Sequence, residues 1–224
     1  TIEMGAGVSY ADSQIAMSAD YAHLSAFWDR IAGWQIRSMG TIGGNVANGS
    51  PIGDTPPVLI SLGASITLRK GRVRREMAIE DFFIDYGKQD RALGEFLEAI
   101  TVPRPAPNAI HAAYKISKRR DEDISSVCAA FNVTVENGTI TAARIAFGGM
   151  AATPKRAAHA EAALVGAPWT EASLIAAAEK LGDDFSPLTD WRASSEYRLQ
   201  VSKNLFRKFW LDQQSDTSAN RLSA

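Results

Sequence analysis

The chain has 224 residues, of which 46% are hydrophobic and 22% are charged, and its formal net charge is −1. This composition is typical of a folded globular protein, and the balanced charge provides no basic field that would hold nucleic acid or an anionic membrane. The single cysteine, Cys128, excludes an internal disulfide, an iron–sulfur cluster and a cysteine-rich zinc site held by this chain alone. No apolar run reaches the roughly 18 residues of a membrane span, and one cysteine fits a reducing compartment, so we expect a cytoplasmic protein.

The first half of the chain predicts one long helix, a glycine-rich segment and short strands. Apolar residues recur at helical spacing over residues 11–33, and Gly33 suits the end of that helix. The apolar residues of segment 38–57 show no clear periodicity, and an irregular stretch of that length is often functional. We further expect a buried helical turn and a strand over residues 58–68, a basic turn over 70–75 and a strand over 96–102.

Both ends and one internal segment indicate how the chain is divided. Residues 1–7 read like a strand entering a turn, so the chain looks like a piece of a longer polypeptide. Three prolines within residues 103–107 rule out a regular helix or a central strand, which predicts a domain boundary there. We therefore expect a domain over residues 1–106, incomplete at its N-terminus, a second over 107–212 and a flexible tail over 213–224.

The second half predicts three strands followed by helices. Residues 127–136 and 139–147 are rich in β-forming residues, and Asn137-Gly138 between them is a strong hairpin signal because both turn residues need a positive φ. The last helix carries an apolar stripe at four-residue spacing, and such a stripe indicates core packing. The stripe consists of Tyr197, Val201, Leu205 and Phe209, with Phe206 and Trp210 beside it. A further strand is expected over residues 109–117, with helices over 154–164, 170–182 and 194–212.

Several common cofactor and catalytic motifs do not occur in the sequence. Gly5-Ala6-Gly7 lacks the third glycine of a Rossmann fingerprint, and Gly44–Gly49 is followed by Ser50 instead of the lysine of a P-loop. There is no Gly-x-Ser-x-Gly nucleophile elbow. The three histidines are far apart and lack the spacing of metal ligands, so we expect neither a metal site nor a catalytic acid or base.

Residues 40–54 form the segment with the clearest chemical use. Gly43 and Gly44 allow a backbone to approach an anion closely and to point successive N–H groups at it. Asp54 is an acceptor for sugar hydroxyls or for a ring N–H. Neutral donors are supplied by Thr41, Asn45, Asn48 and Ser50. A diphosphate with a sugar chain would satisfy this set, and a ligand-free glycine turn is the alternative.

A second group of polar residues follows the linker. Residues 118–123 place three bases beside three acids, and such charge runs usually form a solvated, self-neutralising loop. Lys115 differs because it lies within a predicted strand, where a charge needs a partner or a route to solvent. A lysine beside an electron-rich ring would stabilise the reduced, anionic form of that ring.

Four segments together resemble one enzyme family. Thr41-Ile42-Gly43-Gly44-Asn45 followed by Ser50-Pro51-Ile52-Gly53-Asp54 resembles the flavin-binding region of xanthine dehydrogenases, which belong to the molybdenum hydroxylase flavoproteins. Lys115 followed by Arg119-Arg120-Asp121-Glu122-Asp123-Ile124 resembles a second signature of the same enzymes. Residues 148–151 and 191–198 are similar to their C-terminal subdomain. The resemblance covers nearly all of residues 2–212.

The resemblance implies a fold and a cofactor. The fold would be α+β: the C-terminal part of an FAD-binding domain of the vanillyl-alcohol-oxidase (PCMH) type, followed by a subdomain of three strands and helices. Thr41, Gly43, Gly44 and Asn45 would hold the diphosphate and ribityl region of FAD, and Asp54, Leu97, Lys115 and Ile31 would also contact FAD. Ile31 stands where vertebrate relatives have Phe. The loop Arg119, Arg120, Asp121, Glu122 and Asp123 would lie near the flavin and the approach of NAD⁺.

The resemblance also implies a function and partners. Electrons would pass from molybdenum and 2Fe–2S centres in other segments through FAD to NAD⁺ while hypoxanthine and xanthine are oxidised to urate. The partners would be upstream iron–sulfur domains and a molybdopterin-binding large subunit in a hetero-oligomer. Two alternatives stay open. One is the flavoprotein subunit of another molybdenum hydroxylase, acting on carbon monoxide or an aromatic heterocycle, and the other is a non-catalytic scaffold.

Overall fold

The computed structural model describes residues 1–214, so residues 215–224 of the expected tail lie outside the described residues. Two single-turn 3-10 helices, Ala22–Leu24 and Ile79–Phe82, occur in the first half. The other elements of this half are β1 (Ile2–Gly5), α1 (Tyr10–Tyr21), α2 (Ser25–Trp28), α3 (Trp34–Met39), α4 (Ile42–Asn48), α5 (Thr55–Ser61), β2 (Ser65–Lys70), β3 (Val73–Ala78), β4 (Phe83–Asp85), β5 (Lys88–Gln89) and β6 (Phe96–Val102).

The first half is built on an antiparallel sheet with the strand order β1–β6–β2–β3. In the middle of the sheet Ile100 lies opposite Met4 on one side and Ile66 on the other, and all three side chains are buried. Strands β2 and β3 form a hairpin whose turn contains Gly71 at a φ of 61°. Residues 70–75, predicted to be a basic turn, are therefore mostly strand.

The helix predicted over residues 11–33 is broken into α1, a 3-10 turn and α2, which corrects that expectation. The break lies at Tyr21, whose backbone leaves the helical region at φ −131° and ψ 46°. The Tyr21 ring is buried, and its hydroxyl donates to the carbonyl of Pro103 at 2.7 Å. This contact with a residue 82 positions away competes with the local helical pattern and ends α1 there.

The segment 38–57, predicted to be irregular, contains α4 and the start of α5. Thr41 caps α4, because its hydroxyl oxygen accepts a hydrogen bond from the N–H of Gly44. Ile42 and Val46 bury the apolar face of the same helix. Burial and capping therefore outweigh the low helix propensity of the glycines in this segment.

The second half has an antiparallel sheet in the order β10–β9–β8–β7, and the helices of the same half cover one of its faces. Its elements are β7 (Ala109–Ile116), β8 (Val127–Glu136), β9 (Thr139–Gly148), β10 (Lys155–Arg156), α6 (Ala158–Leu164), α7 (Glu171–Ala178), α8 (Leu181–Asp184) and α9 (Ser195–Leu211). Asn137 and Gly138 turn at φ values of 50° and 75°, so the predicted hairpin is confirmed. Residues 155–156 join the sheet edge, and the helix predicted over 154–164 begins only at Ala158. Within residues 1–214, no helix combines the length and apolar character that crossing a bilayer requires.

Both faces of this second sheet are covered. Because side chains alternate along a strand, the small residues Cys128 and Ala130 face the first half and pack with the core around α5. Phe131, on the other face, packs against Phe206 and Phe209 of α9, which confirms the predicted core packing for the C-terminal part of the stripe. Tyr197, at the start of the stripe, is 50% exposed, so the prediction was wrong for this residue. This packing brings the N-terminus of α5 close to β7 and to the start of β8.

Candidate functional site

A cleft of about 490 Å³ lies between the two halves of the chain. The first half contributes residues within 31–36 and 45–54, and the second contributes Lys115 and residues 122–124. Ile36, Ile52 and Ile124 supply apolar surface, while Asn45, Asn48 and Ser50 supply amide and hydroxyl groups. The cleft thus combines apolar surface with several convergent polar and charged groups, and convergent polar groups in a concave site are typical of small-molecule binding.

Three polar side chains form a closed triangle at the base of the cleft. The Lys115 ammonium donates to Asp54 Oδ2 at 2.7 Å and to Ser125 Oγ at 2.8 Å. Ser125 Oγ in turn donates to Asp54 Oδ1 at 2.5 Å. The Lys115 side chain is only 2% exposed, so its charge is compensated by this carboxylate and not by water. Since Asp54 belongs to the first half and the other two residues to the second, the triangle also joins the halves.

Asp54 is the N-cap residue of α5, yet its side chain makes no capping hydrogen bond among the described residues. Aspartate usually caps a helix by accepting hydrogen bonds from the N–H groups of its first turn. Pro56 and Pro57 follow in that turn, and proline has no N–H to donate. The local sequence therefore leaves the carboxylate of Asp54 available to Lys115.

The charge of Asp54 affects two buried neighbours. Burial raises the pKa of the Cys128 thiol, and Asp54 adds to the rise. Burial, with a smaller contribution from Asp54, also raises the pKa of Tyr10 to about 12. Both groups are neutral at physiological pH, so the thiol is not a reactive thiolate. Among the described residues that line the cleft, Lys115 is the basic one.

The backbone N–H groups of the two glycines in α4 bind other protein atoms, which differs from the expectation. The N–H of Gly43 donates to the carbonyl of Ala6 at 3.1 Å, and the N–H of Gly44 donates to Thr41 Oγ1 at 3.1 Å. These two N–H groups are engaged within the protein, so the expectation that both point at an anion is corrected. A Cβ atom on Gly43 would lie 2.5 Å from the Cα of Ala6. Glycine is therefore required here for close packing of α4 on the turn after β1.

The residues predicted for the site divide into those that line the cleft and those that lie behind it. Thr41, Gly43 and Gly44 build α4, which carries Asn45 into the cleft, where Asn45 Oδ1 accepts from Thr55 Oγ1 at 2.6 Å. Leu97 lies opposite Leu68 in β6 and is buried in the core of the first half, away from this lining. The lining includes Ile31, Asn45, Asp54, Lys115, Glu122 and Asp123.

The acidic and basic residues after β7 form a loop that folds on itself. Asp123 accepts from the backbone N–H of Arg119 at 2.8 Å, and its carboxylate lies 3.4 Å from the Arg119 guanidinium. These contacts lower the pKa of Asp123, and the hydrogen bond from the backbone N–H of Arg119 makes the largest contribution. Glu122 has a φ of 51°, and its side chain reaches across the cleft to Gly33. A Cβ atom added to Gly33 would lie 2.1 Å from Glu122 Oε1. Arg120 and Asp121 belong to the same loop outside the cleft lining.

Arg30 and Ser125 are site residues that sequence reasoning missed. The Arg30 guanidinium donates to the carbonyl of Lys115 at 2.6 Å, to Ser117 Oγ at 3.2 Å and to the carbonyl of Arg120 at 3.3 Å. It thereby fixes the first-half wall of the cleft to the second-half loop. No local pattern predicts these contacts, because the partners of Arg30 lie 85 to 90 positions away.

Two family models match the chain, one in each half. The FAD binding domain in molybdopterin dehydrogenase matches residues 1–105, and the CO dehydrogenase flavoprotein C-terminal domain matches residues 112–213. The xanthine dehydrogenase FAD-binding subunit of Escherichia coli O157:H7 is 33% identical over 186 residues, which are 83% of this chain and 64% of that subunit. Nicotinate hydroxylase of Emericella nidulans is 36% identical over 186 residues, which are 80% of this chain and 14% of that enzyme. A solved Cu,Mo-CO dehydrogenase chain has a TM-score of 0.85 at 30% identity, covering 92% of this chain and 72% of that chain.

The fold and these matches define a flavoprotein chain with an FAD-binding domain followed by a flavoprotein C-terminal domain. The chain belongs to the molybdenum hydroxylase flavoprotein family, as the sequence resemblance predicted. The predicted α+β fold is confirmed: an FAD-binding domain of the PCMH type is followed by a domain of sheet and helices. The chain spans less than two thirds of the length of the bacterial subunit and a small part of the fungal enzyme.

Proposed function

We propose that the chain is the flavin segment of a xanthine dehydrogenase. In this proposal it passes electrons from molybdenum and 2Fe–2S centres in other segments through FAD to NAD⁺ while hypoxanthine and xanthine are oxidised to urate. The observation that carries the proposal is the Asp54–Lys115–Ser125 triangle at the base of the cleft. A buried ammonium there offers positive charge to a ring that gains electrons. The identity with a xanthine dehydrogenase FAD-binding subunit supports the choice of substrate.

The chemistry of the cleft fits a flavin. Isoleucine side chains offer apolar surface to a planar ring, and amides and a hydroxyl offer donors and acceptors to its polar edge and ribityl chain. FAD, when bound, supplies the redox chemistry, and the chain binds and orients it. We propose direct contacts from Ile31, Asn45, Asp54 and Lys115, with Thr41, Gly43 and Gly44 acting through α4. Leu97 is proposed as a contact outside this cleft.

A second cleft of about 430 Å³ supports the choice of NAD⁺ as acceptor. It shares Ser50 and Ile52 with the first cleft and is also lined by Arg192 and Arg198. Asp190 pairs with both guanidinium groups, at 3.1 Å from Arg192 and 2.7 Å from Arg198. Two cations facing one carboxylate leave a net positive charge that suits the diphosphate of a dinucleotide. The loop of Arg119, Arg120, Asp121, Glu122 and Asp123 would border this approach.

The proposed partners are a molybdopterin-binding large subunit and upstream iron–sulfur domains, in a cytoplasmic hetero-oligomer. The similarity to a protein named as an FAD-binding subunit supports such an assembly. We also propose a division of the chain into two domains near residue 106. A second candidate substrate is carbon monoxide, which is favoured by the TM-score of 0.85 with a CO dehydrogenase chain.

The native complex that contains this chain provides the test. Its FAD content is measured first, and its reduction of NAD⁺ is then followed with hypoxanthine, carbon monoxide or nicotinate as the electron donor. Bound FAD and NADH formation with hypoxanthine support the proposal. Bound FAD with turnover of carbon monoxide but not hypoxanthine supports the second candidate. A complex without FAD overturns both and leaves the scaffold role.

A further inference from the structure

We propose that Ser125 is a positioning residue that holds the Lys115 ammonium toward the cleft and thereby sets the reduction potential of the bound flavin. The inference rests on the proposed function, because it takes FAD to be the ligand of the cleft. Ser125 is 1% exposed and lies two positions after Asp123, the last residue of the charged loop. Neither family resemblance nor local sequence pattern assigns it a role.

The chemistry of a hydroxyl suits the place that Ser125 occupies. It accepts a hydrogen bond from the Lys115 ammonium at 2.8 Å and donates one to Asp54 Oδ1 at 2.5 Å. A hydroxyl is able to accept from a cation and donate to an anion at the same time. Because the residue is buried, water does not replace either bond when the hydroxyl is removed.

The serine also determines which carboxylate oxygen the lysine uses. Its hydroxyl occupies Asp54 Oδ1, and Lys115 contacts the other oxygen, Oδ2, at 2.7 Å. An ammonium has three donors, and these two acceptors fix the direction of two of them. Without the hydroxyl, both oxygens of Asp54 are available to Lys115, so the ammonium moves toward the carboxylate. Its charge then lies further from the cleft and stabilises a reduced ligand less.

Ser126 provides a matched control for Ser125. It is the next residue, it is 3% exposed, and its side chain takes no part in the triangle. Its role in the fold comes from its backbone carbonyl, which accepts from the Arg198 guanidinium. Ser126→Ala therefore removes a buried hydroxyl at the same depth without changing the surroundings of Lys115.

The test compares the flavin midpoint potential in holoenzymes carrying Ser125→Ala, Ser125→Thr and Ser126→Ala. We expect a lower potential in Ser125→Ala. Ser125→Thr and Ser126→Ala should keep the wild-type potential, because Thr retains the hydroxyl and the Ser126 side chain takes no part in the triangle. If Ser125→Ala does not retain flavin, Ser125→Cys, with its weaker thiol donor, is measured and should also have a lower potential. A wild-type potential in the hydroxyl-free or thiol variant overturns this inference alone. A wild-type enzyme without FAD overturns the proposed function and this inference with it.

Discussion

Asp54 and Lys115 are 61 positions apart in the sequence, and their charged groups lie 2.7 Å apart at the base of the cleft. The contact links the N-terminus of α5 to β7, so it depends on the docking of the two halves. Both side chains are largely withdrawn from water, at 11% and 2% exposure. A buried pair of this kind is costly to break from one side only, because the remaining charge has no partner.

We predict that Lys115→Ala lowers the flavin potential of the holoenzyme or slows its reduction of NAD⁺, because the positive charge at the cleft is lost. The free energy of unfolding should fall by about 3–5 kcal/mol, since Asp54 is left as a buried unpaired charge. Lys115→Arg keeps the charge and is the control. Spectroelectrochemistry and stopped-flow kinetics measure the first effect. An unchanged potential together with an unchanged rate in Lys115→Ala contradicts the role assigned to this residue.

Gly43→Ala should destabilise the protein because a Cβ at this position would lie 2.5 Å from the Cα of Ala6 and 2.6 Å from its carbonyl oxygen. Backbone atoms do not yield easily, so we expect a loss of about 1–3 kcal/mol in the free energy of unfolding. Gly182→Ala is the control, since no described atom lies within 4 Å of the added methyl group. Gly182 lies in α8, where alanine should be neutral or stabilise by about 0.5–1 kcal/mol. Equal urea midpoints for the two variants would refute the steric argument.

The sequence correctly predicted those elements whose formation depends on residues close together in the chain. The Asn137-Gly138 turn needs only its two positive φ values, and α9 needs only its apolar stripe and its cap at Ser194. The prediction of one helix over residues 11–33 was wrong because the Tyr21 hydroxyl donates to the carbonyl of Pro103 in the distant proline segment. A pattern in one stretch of sequence carries no information about such a partner.

The candidate site shows the same division between local and distant causes. Lys115 attracted attention because a charge inside a strand is unusual, and Asp54 because it ends a polar glycine-rich segment. Ser125 is a common type of residue near a charge run, and no local pattern distinguishes it. Its contacts with Asp54 and Lys115 are evident only when the two halves are docked. Gly43 was singled out as a position of close backbone approach, and the protein atoms that lie close to it belong to Ala6, a residue 37 positions earlier in the sequence.

Phe209→Ala tests whether α9 is held as core. The ring is fully buried and stacks on Phe131 with 4.8 Å between centroids. Truncation should reduce the free energy of unfolding by about 3–5 kcal/mol, as measured by urea denaturation. Tyr197, on the same helix, is 50% exposed, and its substitution by Ala should cost less than about 1 kcal/mol. A small effect of Phe209→Ala would instead favour the scaffold alternative, with this face serving as an interface.

The stability of the protein should fall on mild acidification because of His111. Its ring stacks on that of His23 with 5.7 Å between centroids and meets Tyr21 edge-on. Burial lowers the pKa of His111 to about 4, and the positive charge of His23 contributes to the shift. Burial also lowers the pKa of His23.

The direction follows from proton binding in the two states. Between the ordinary value of 6.5 and about 4, the unfolded chain binds a proton at His111 that the folded chain does not, so stability is full above 6.5 and is lost as the pH falls through this window. We expect a loss of about 1 kcal/mol between pH 7 and pH 5, reduced from the full linkage value because the ring is partly exposed. His111→Gln removes the titrating group while keeping a polar side chain. Urea unfolding of this variant should therefore depend less on pH than that of the wild type, and equal slopes would show that another group carries the effect.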